Sequence, residues 1–306
     1  RLCILDRSIS EKTRIGGGYR QRPLETLTLT MAFGRVSEIQ RWIDEGRVMC
    51  EEEGRIGPGL HVYRGDYWEA LGDVPRRPLE SVLCEDDRIE RLLADLRWFQ
   101  GARDWYAERG VPWRRGYLLY GPPGTGKSSL VRVIASELDL DIATLEIGRP
   151  GLGDDDLCEA MSKAPRRSLI AMEDIDALFV GRETGEKRVG VSFSGLLNAI
   201  DGVAAQEGRP VFMTTNHRER LDPALIRPGR ADVHVELGPV GAEVAARLFA
   251  RFFPERPDLA ARFRLALDGC RVTPAALQGW LLEHLADPEH AAGAAGLVGG
   301  ARLAAE

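Results

Sequence analysis

G-Y-L-L-Y-G-P-P-G-T-G-K-S-S-L, residues 116–130, sets the architecture of this chain. Tyr117 to Tyr120 make the short apolar run of a buried parallel strand. The chain then turns through Gly121, Pro122, Pro123, Gly124, Thr125 and Gly126. Lys127, Ser128 and Ser129 open a helical pattern, so the whole fits G-x-x-x-x-G-K-[ST] without a gap. Backbone N–H groups enclose a run of phosphates only if the loop wraps closely. Glycines therefore stand where a side chain would collide or where φ must be positive. The helix starting near Lys127 points its unpaired N–H groups and positive dipole end at the same place. Gly121 through Ser129 is the expected nucleotide-binding set, with Lys127 on the β- and γ-phosphates and the Ser128 hydroxyl on Mg²⁺.

Composition agrees with that reading. The chain has four lysines, at 12, 127, 163 and 187, and one of them occupies this loop; the rest of its 41 basic residues are arginine. A compact ammonium suits a phosphate site in a way that a planar guanidinium does not simply replace. At 306 residues two or three domains are expected, and a net charge of −6 argues against a general nucleic-acid binder. Cys3, Cys50, Cys84, Cys158 and Cys270 form no C-x-x-C pair, and the five histidines show no metal-ligand spacing. No apolar run reaches the length of a membrane span. Arg-rich, Lys-poor and Ala-rich usage points to a GC-rich, bacterial genome.

Outward from the loop, the chain divides into three expected regions. Residues 1–75 read as a small α+β domain. Its first part, Arg1 to Pro23, is basic and reads as a solvated hairpin or tail, or as a juxtamembrane segment following an anchor upstream of Arg1. Leu27, Leu29, Met31 and Phe33 alternate as a half-buried strand, and Ser37 with Gln40 can cap a helix carrying Ile39, Trp42 and Ile43. Leu60 to Tyr63 is a further short strand. P-R-R-P at 75–78 reads as a linker into residues 76–238, the expected nucleotide-binding domain. There Asp86 or Asp87 caps a helix with Ile89, Leu92, Leu93, Leu96 and Phe99 on one stripe. Val111 is a candidate for a base pocket. Residues 239–306 read as a helical lid, with Val244, Leu248 and Phe252 on one face. Thr273-Pro274 starts another helix, and Ala291 to Glu306 is expected to be frayed or weakly helical.

A second half of the site is expected where the apolar run Ser168 to Met172 ends in Glu173, Asp174, Ile175 and Asp176. A buried strand would deliver these carboxylates to the sheet edge that carries the phosphate loop. Val211 to Met213 makes another apolar run, ending at Thr214, Thr215 and Asn216. Downstream lies R-L-D-P-A-L-I-R-P-G-R at 220–230, whose Arg227 and Arg230, spaced by Pro-Gly, form rigid cationic fingers.

These motifs resemble the AAA+ ATPases and, more narrowly, their Bcs-type branch. The likeness covers about Leu24 to Trp280. It is carried by R-G-Y-L-L-Y-G-P-P-G-T-G-K-S-S at 115–129, E-D-I-D-A at 173–177, S-F-S-G-L-L-N-A-I-D-G-V at 192–203 and F-M-T-T-N-H at 212–217. R-P-L-E-S-V at 77–82 and W-Y-A-E-R-G-V-P at 105–112 belong to it too. Mitochondrial members of the branch translocate a Rieske iron-sulfur protein during cytochrome bc complex assembly.

The resemblance implies an α/β P-loop AAA+ domain with a parallel sheet, a C-terminal helical lid and a small α+β N-terminal domain. It implies Mg²⁺-dependent ATP hydrolysis with Glu173 and Asp174 as Walker B, Asn216 as sensor 1, and Arg227 and Arg230 reaching a neighbouring subunit's site. The usual Asp-Glu order is reversed here, so in register Glu173 supports the metal and Asp174 positions water. The implied assembly is a homo-oligomeric ring, a heptamer by family, acting on a protein client. Its expected location is cytoplasmic, with membrane attachment only through a segment upstream of Arg1. Gly148 to Gly153, where threading unfoldases carry an aromatic pore loop, has no aromatic residue. The implied cavity therefore passes or remodels a folded client. Gly181 to Gly190 reads either as a second pore-facing loop or as a solvated charged loop. A nucleotide switch with little turnover and a nucleic-acid-stimulated motor are the competing classes.

Overall fold

The computed structural model describes residues 3–15, 22–31, 38, 40–42, 55–149, 151–180, 190–202, 207–295 and 298. Contacts divide the chain into two units, before and after Arg55/Ile56. In the first, β1 (Cys3–Ile15) and β2 (Arg22–Met31) pair antiparallel from Cys3↔Met31 to Ile15↔Arg22, with a register shift between Ser10 and Arg14. Of the basic N-terminal segment, Cys3–Ile15 is thus one strand of an antiparallel pair, and Arg22 and Pro23 begin the other. Trp42, expected on the apolar stripe of the next helix, is 41% exposed. Phe33, Ser37, Ile39 and Ile43 lie outside the described residues, as do residues 181–189.

The second unit is built on a seven-stranded sheet of order β4-β3-β6-β7-β8-β5-β9. Its strands are β3 (Gly59–Tyr63), β4 (Trp68–Asp73), β5 (Arg115–Tyr120), β6 (Asp141–Leu145), β7 (Ser168–Met172), β8 (Pro210–Thr215) and β9 (Val233–Glu236). All neighbours run parallel except the β3–β4 hairpin. The helices are α1 (Arg88–Gly101), α2 (Arg103–Glu108), α3 (Lys127–Leu138), α4 (Asp154–Lys163), α5 (Ala177–Val180), α6 (Phe193–Asp201), α7 (Ala242–Phe252), α8 (Pro257–Ala266), α9 (Pro274–Glu283) and α10 (Pro288–Gly293).

Helices cover both faces of the sheet, so its central strands β7 and β8 are buried in every position. On β5, Tyr117 and Leu119 join Leu92, Leu96 and Ile134 of α1 and α3, while Leu118 joins Leu157 and Leu196 of α4 and α6 on the opposite face. All five apolar positions expected on α1 are buried. Asp87 stands at its N-cap, but the backbone N–H of Arg88 donates to the Asp86 carboxylate (3.2 Å).

The Leu60–Tyr63 strand departs from the expected organisation. It belongs to the large sheet, pairing with β6 from Leu60↔Ile142 to Val62↔Thr144, and Trp68 Nε1 donates to Ala160 O on α4 (3.1 Å). The open edge of β6 accounts for this, because an uncovered parallel strand would leave its N–H and C=O groups unpaired. P-R-R-P at 75–78 is likewise docked rather than free. Arg76 donates to Ser136 O (2.9 Å) and Asp139 Oδ1 (2.9 Å), and the Arg77 N–H donates to Ser136 Oγ (3.2 Å).

The lid has its own core of Val244, Leu248, Phe249, Phe263, Leu277 and Leu281. Phe249 takes the fully buried position expected for Phe252, which is half-buried. Thr273 caps α9 and Pro274 is its first residue, as the sequence predicts. In the Ala-rich end, Ala291, Ala292, Ala295 and Val298 are buried against the lid core, and residues 296, 297 and 299–306 lie outside the described residues. Among the described residues no helix is long and apolar enough to cross a membrane.

Candidate active site

The phosphate loop leaves β5 at Tyr120, the point where backbone must approach backbone. A Cβ on Gly121 would lie 1.9 Å from Leu237 O, and its φ of 136° adds a second reason for glycine. Gly126 caps α3 with φ 98°, and nothing lies within 4 Å of where its Cβ would be. That opening beside the helix N-terminus is space a phosphate can use. Thr125 is buried and donates to Pro122 O (2.9 Å), closing the loop on itself.

Lys127 is buried too, and its ammonium donates to Gly121 O (2.7 Å) and Pro122 O (2.9 Å). Burial pushes its pKa below the usual lysine range, while the charges of Asp174 and Asp176 oppose that shift. The phosphate-loop cation and the acids after β7 therefore share one electrostatic neighbourhood. Ser128 is exposed in the first turn of α3. Ser129 instead meets Arg77 Nη1 (3.4 Å).

The acids stand where the sequence expects them. β7 is buried in every residue, and the chain emerges at Glu173 and Asp174, both exposed. Asp174 has φ 49°, a conformation that Asp tolerates better than most residues. It is pinned there by β8: its N–H donates to Thr214 Oγ1 (3.1 Å), and the next N–H, of Ile175, donates to Thr214 O (3.0 Å). Asn216 Nδ2 donates to Asp174 Oδ1 (3.4 Å), bringing the two functional candidates together.

Beneath them is a contact that sequence reasoning missed. Asp176 and Thr215 are buried; the Thr215 hydroxyl donates to Asp176 Oδ1 (2.7 Å) and accepts from the His217 N–H (2.9 Å). The motifs E-D-I-D and T-T-N-H contain all three residues, but only the β7–β8 register reveals the pairing.

The arginines occupy the other end of the sheet. Arg227 is exposed. Arg230 Nε donates to Asp201 Oδ2 (2.6 Å) and Nη1 to Ala224 O (2.8 Å) within the same chain. A Cβ on Gly116 would strike Arg230 O at 1.6 Å, so Arg230 sits beside the start of β5. The phosphate loop leaves its end. At roughly 3.3 Å per residue, Gly116 and Gly121 are about 16 Å apart. The structure thus gathers Lys127, Ser128, Glu173, Asp174 and Asn216, and leaves Arg227 and Arg230 away from them.

Beside the loop lies a cavity of about 280 Å³, lined by Leu83 to Glu85, Arg88, Glu236 to Val240 and Arg271. Leu237 donates its N–H to Tyr120 O (2.8 Å), so the cavity wall continues into the loop. From the lid, Ala275 N–H donates to Gly124 O (3.0 Å). Val111, the sequence's candidate for a base pocket, is 46% exposed and does not line this cavity.

Such a sheet, with its phosphate loop, paired acids and separate helical lid, defines a P-loop ATPase of the AAA class. Residues 117–239 match the family model for ATPases associated with various cellular activities, and residues 242–296 match the ATPase lid domain of mitochondrial chaperone BCS1-like proteins. The chain is 40% identical over 279 residues to mitochondrial chaperone BCS1 of Bos taurus, covering 87% of this chain and 66% of that protein. It is 36% identical over 300 residues to the probable mitochondrial chaperone BCS1-A of Dictyostelium discoideum, covering 94% and 70%. The human BCS1 chaperone matches at 40% over 279 residues. The chain belongs to the BCS1-like family of AAA ATPases. It spans 66% and 64% of the length of the bovine protein and of the Dictyostelium BCS1-B protein.

Proposed function

We propose that this protein hydrolyses ATP in a Mg²⁺-dependent manner and works as a ring of identical subunits that remodels or translocates a folded protein client. The observation that carries the reading is the convergence of Lys127, Asp174 and Asn216 at one sheet edge, with the lid docked on the same loop. Lys127 exchanges its carbonyl partners for phosphate oxygens, and the N–H groups that open α3 complete the cradle. Ser128 and Glu173 would hold Mg²⁺, which supplies charge neutralisation at the transferred phosphoryl group. The residues fit: the loop offers open space at Gly126, and Ser128 and Glu173 are exposed oxygen donors of the kind Mg²⁺ takes. Asp174 orients the attacking water, with Asn216 fixing the carboxylate's direction.

The base would occupy the cavity that Leu237 and Arg271 help to line, and a triphosphate would extend from there along the loop. Arg227 and Arg230, at the far end of the sheet, would serve a neighbour's γ-phosphate. The relatives' names describe chaperones in mitochondria; a protein client is this chain's proposed substrate by that likeness. Its location, cytoplasmic or held at a membrane by a segment before Arg1, is settled by cell fractionation of the full-length protein.

Steady-state phosphate release with and without Mg²⁺ tests the central claim. Hydrolysis that stops on chelation and is abolished by Lys127→Ala supports it. ATP binding without turnover in the presence of Mg²⁺ would leave a switch, and turnover seen only with added DNA or RNA would make it a nucleic-acid motor.

A further inference from the structure

Two residues beyond Asn216, Arg218 opens the one-turn 3₁₀ helix Arg218–Arg220, and its guanidinium carbon stands 4.4 Å from the centre of the Tyr120 ring. Tyr120 ends β5 between Thr215 of β8 and Glu236 of β9, and the next residue is Gly121 of the phosphate loop. The same guanidinium donates from Nη2 to His234 Nδ1 (3.3 Å), and His234 Nε2 donates to Ala231 O (3.0 Å). Ala231 directly follows Arg230.

The donor and acceptor roles along this line are forced. A guanidinium only donates and a carbonyl only accepts, so the imidazole between them is neutral with its proton on Nε2. Among the described residues Arg218 forms no ion pair, and the adjacent Glu219 is bonded to His217 Nδ1 (2.9 Å). Arg218 is exposed, so burial does not fix it; the ring face and the imidazole direct its head group.

The turn carrying Arg230 is thereby fastened to both ends of β5. Asp232 grips the start: its carboxylate accepts from Gly116 N–H (2.9 Å) and its own N–H donates to Gly116 O (2.8 Å). Through His234, Arg218 reaches the other end, where the phosphate loop begins. Only this second fastening touches an element that a bound nucleotide would press on.

We propose that Arg218 is a positioning residue that makes the Arg230 turn of a subunit respond to the nucleotide on that subunit's own phosphate loop. The response rests on nucleotide binding at that loop, and its consequence for turnover rests on the ATPase reading above. Phosphate on the loop sets Tyr120 and the turn after Asn216, and Arg218 passes that setting to Ala231 and so to Arg230. With the loop empty, the turn is governed by Asp232.

The test is amide hydrogen exchange on the whole chain, with and without Mg²⁺ and the non-hydrolysable analogue AMPPNP. In wild type, peptides covering 116–130 and peptides covering 224–232 should both slow on binding. In Arg218→Met the first set should still slow and the second should not. The response at 224–232 should persist in Arg230→Ala, which has no finger to touch a neighbour's phosphate. His234→Phe should behave like Arg218→Met, and His234→Gln, which keeps one donor and one acceptor, should stay close to wild type. In steady state Arg218→Met should lower kcat about tenfold while KM for ATP stays within about twofold. A response at 224–232 that survives in Arg218→Met or His234→Phe, vanishes in Arg230→Ala, or is lost as fully in His234→Gln as in His234→Phe overturns the proposal. So does a loss of turnover matched by an equal loss of ATP affinity, which would make Arg218 a support of its own loop. The two readings fail separately. No slowing at 116–130 in wild type removes the nucleotide site and the proposal with it, whereas slowing there without slowing at 224–232 removes the proposal alone. The expected exchange pattern without phosphate release keeps the role of Arg218 and removes only hydrolysis.

Discussion

At the residue scale the reversed acid pair is the informative feature, because the position expected to orient water is also the one held at φ 49°. Such a conformation costs on the order of 1–3 kcal/mol unless neighbours impose it, and here Thr214 imposes it from two sides. Asn tolerates the same conformation, so Asp174→Asn should fold and bind ATP normally while turnover falls at least roughly a hundredfold, as for a general base. Undiminished phosphate release from that variant would hand the role to Glu173. The contact beneath is structural: Thr215→Val removes the donor to a buried carboxylate and the acceptor for His217 N–H together. A loss of about 2–4 kcal/mol is expected in chemical denaturation, with Thr215→Ser close to wild type. A loss below about 0.5 kcal/mol would show that the pair is solvated in practice. The placement of Glu173, Asp174 and Asn216 just past strand ends was legible in sequence because the apolar runs Ser168 to Met172 and Val211 to Met213 lead into them. Asp176 was not, since nothing in a linear pattern says which of two acids two apart turns inward.

Among elements, the lid is tied to the segment before α1 by side chains that also border the larger cavity. Glu85 accepts from Gly241 N–H (2.7 Å) at the start of α7 and from Arg271 Nη2 (3.2 Å), while Arg247 donates to Cys84 O (2.8 Å) and Arg251 to Glu80 O. Glu85 and Arg271 both line the larger cavity, so one ion pair is at once part of its wall and a clasp on the lid. Glu85→Ala should therefore weaken nucleotide binding by about tenfold in calorimetry, the effect of roughly 1.4 kcal/mol. The unfolding midpoint of the nucleotide-free protein should move little, because the pair is largely exposed. Equal losses in both measurements would make Glu85 an ordinary stabilising contact. Sequence patterns found α1, α3 and the start of α9, whose stripes and caps are local signals. They separated β3 from the main sheet because pairing with β6 is a contact some 80 residues away in sequence, and the intervening P-R-R-P has a linker's composition. Docking of Arg76 and Arg77 on the end of α3 is invisible to composition.

For the whole molecule, the decisive relation is the length of β5. Its first residues lie against Arg230 and its last residue opens the phosphate loop, so one chain cannot bring its own Arg230 to its own nucleotide without breaking the sheet. A second copy can, by presenting its β5-start edge to the first copy's loop. Arg230 is held meanwhile by Asp201 and Ala224 O, a half-exposed pairing that a γ-phosphate, with more charge, can compete away. Arg230→Ala should then leave ATP binding intact, abolish turnover of the homogeneous protein, and act on neighbours in mixtures. When Arg230→Ala is titrated into a fixed amount of Lys127→Ala, each inactive alone, contacts that join an intact finger to an intact loop should restore activity. Activity per total subunit should rise to a maximum near equal amounts and then fall, while total activity climbs to a plateau, as neighbour completion requires. Mixtures that stay inactive at every ratio, in a sample shown by light scattering to co-assemble, would place the defect within one subunit. Asp201→Asn supplies the internal control: freeing Arg230 from its resting partner should not lower turnover if the arginine works across the interface, and should lower it if the Asp201 pair is itself the functional contact.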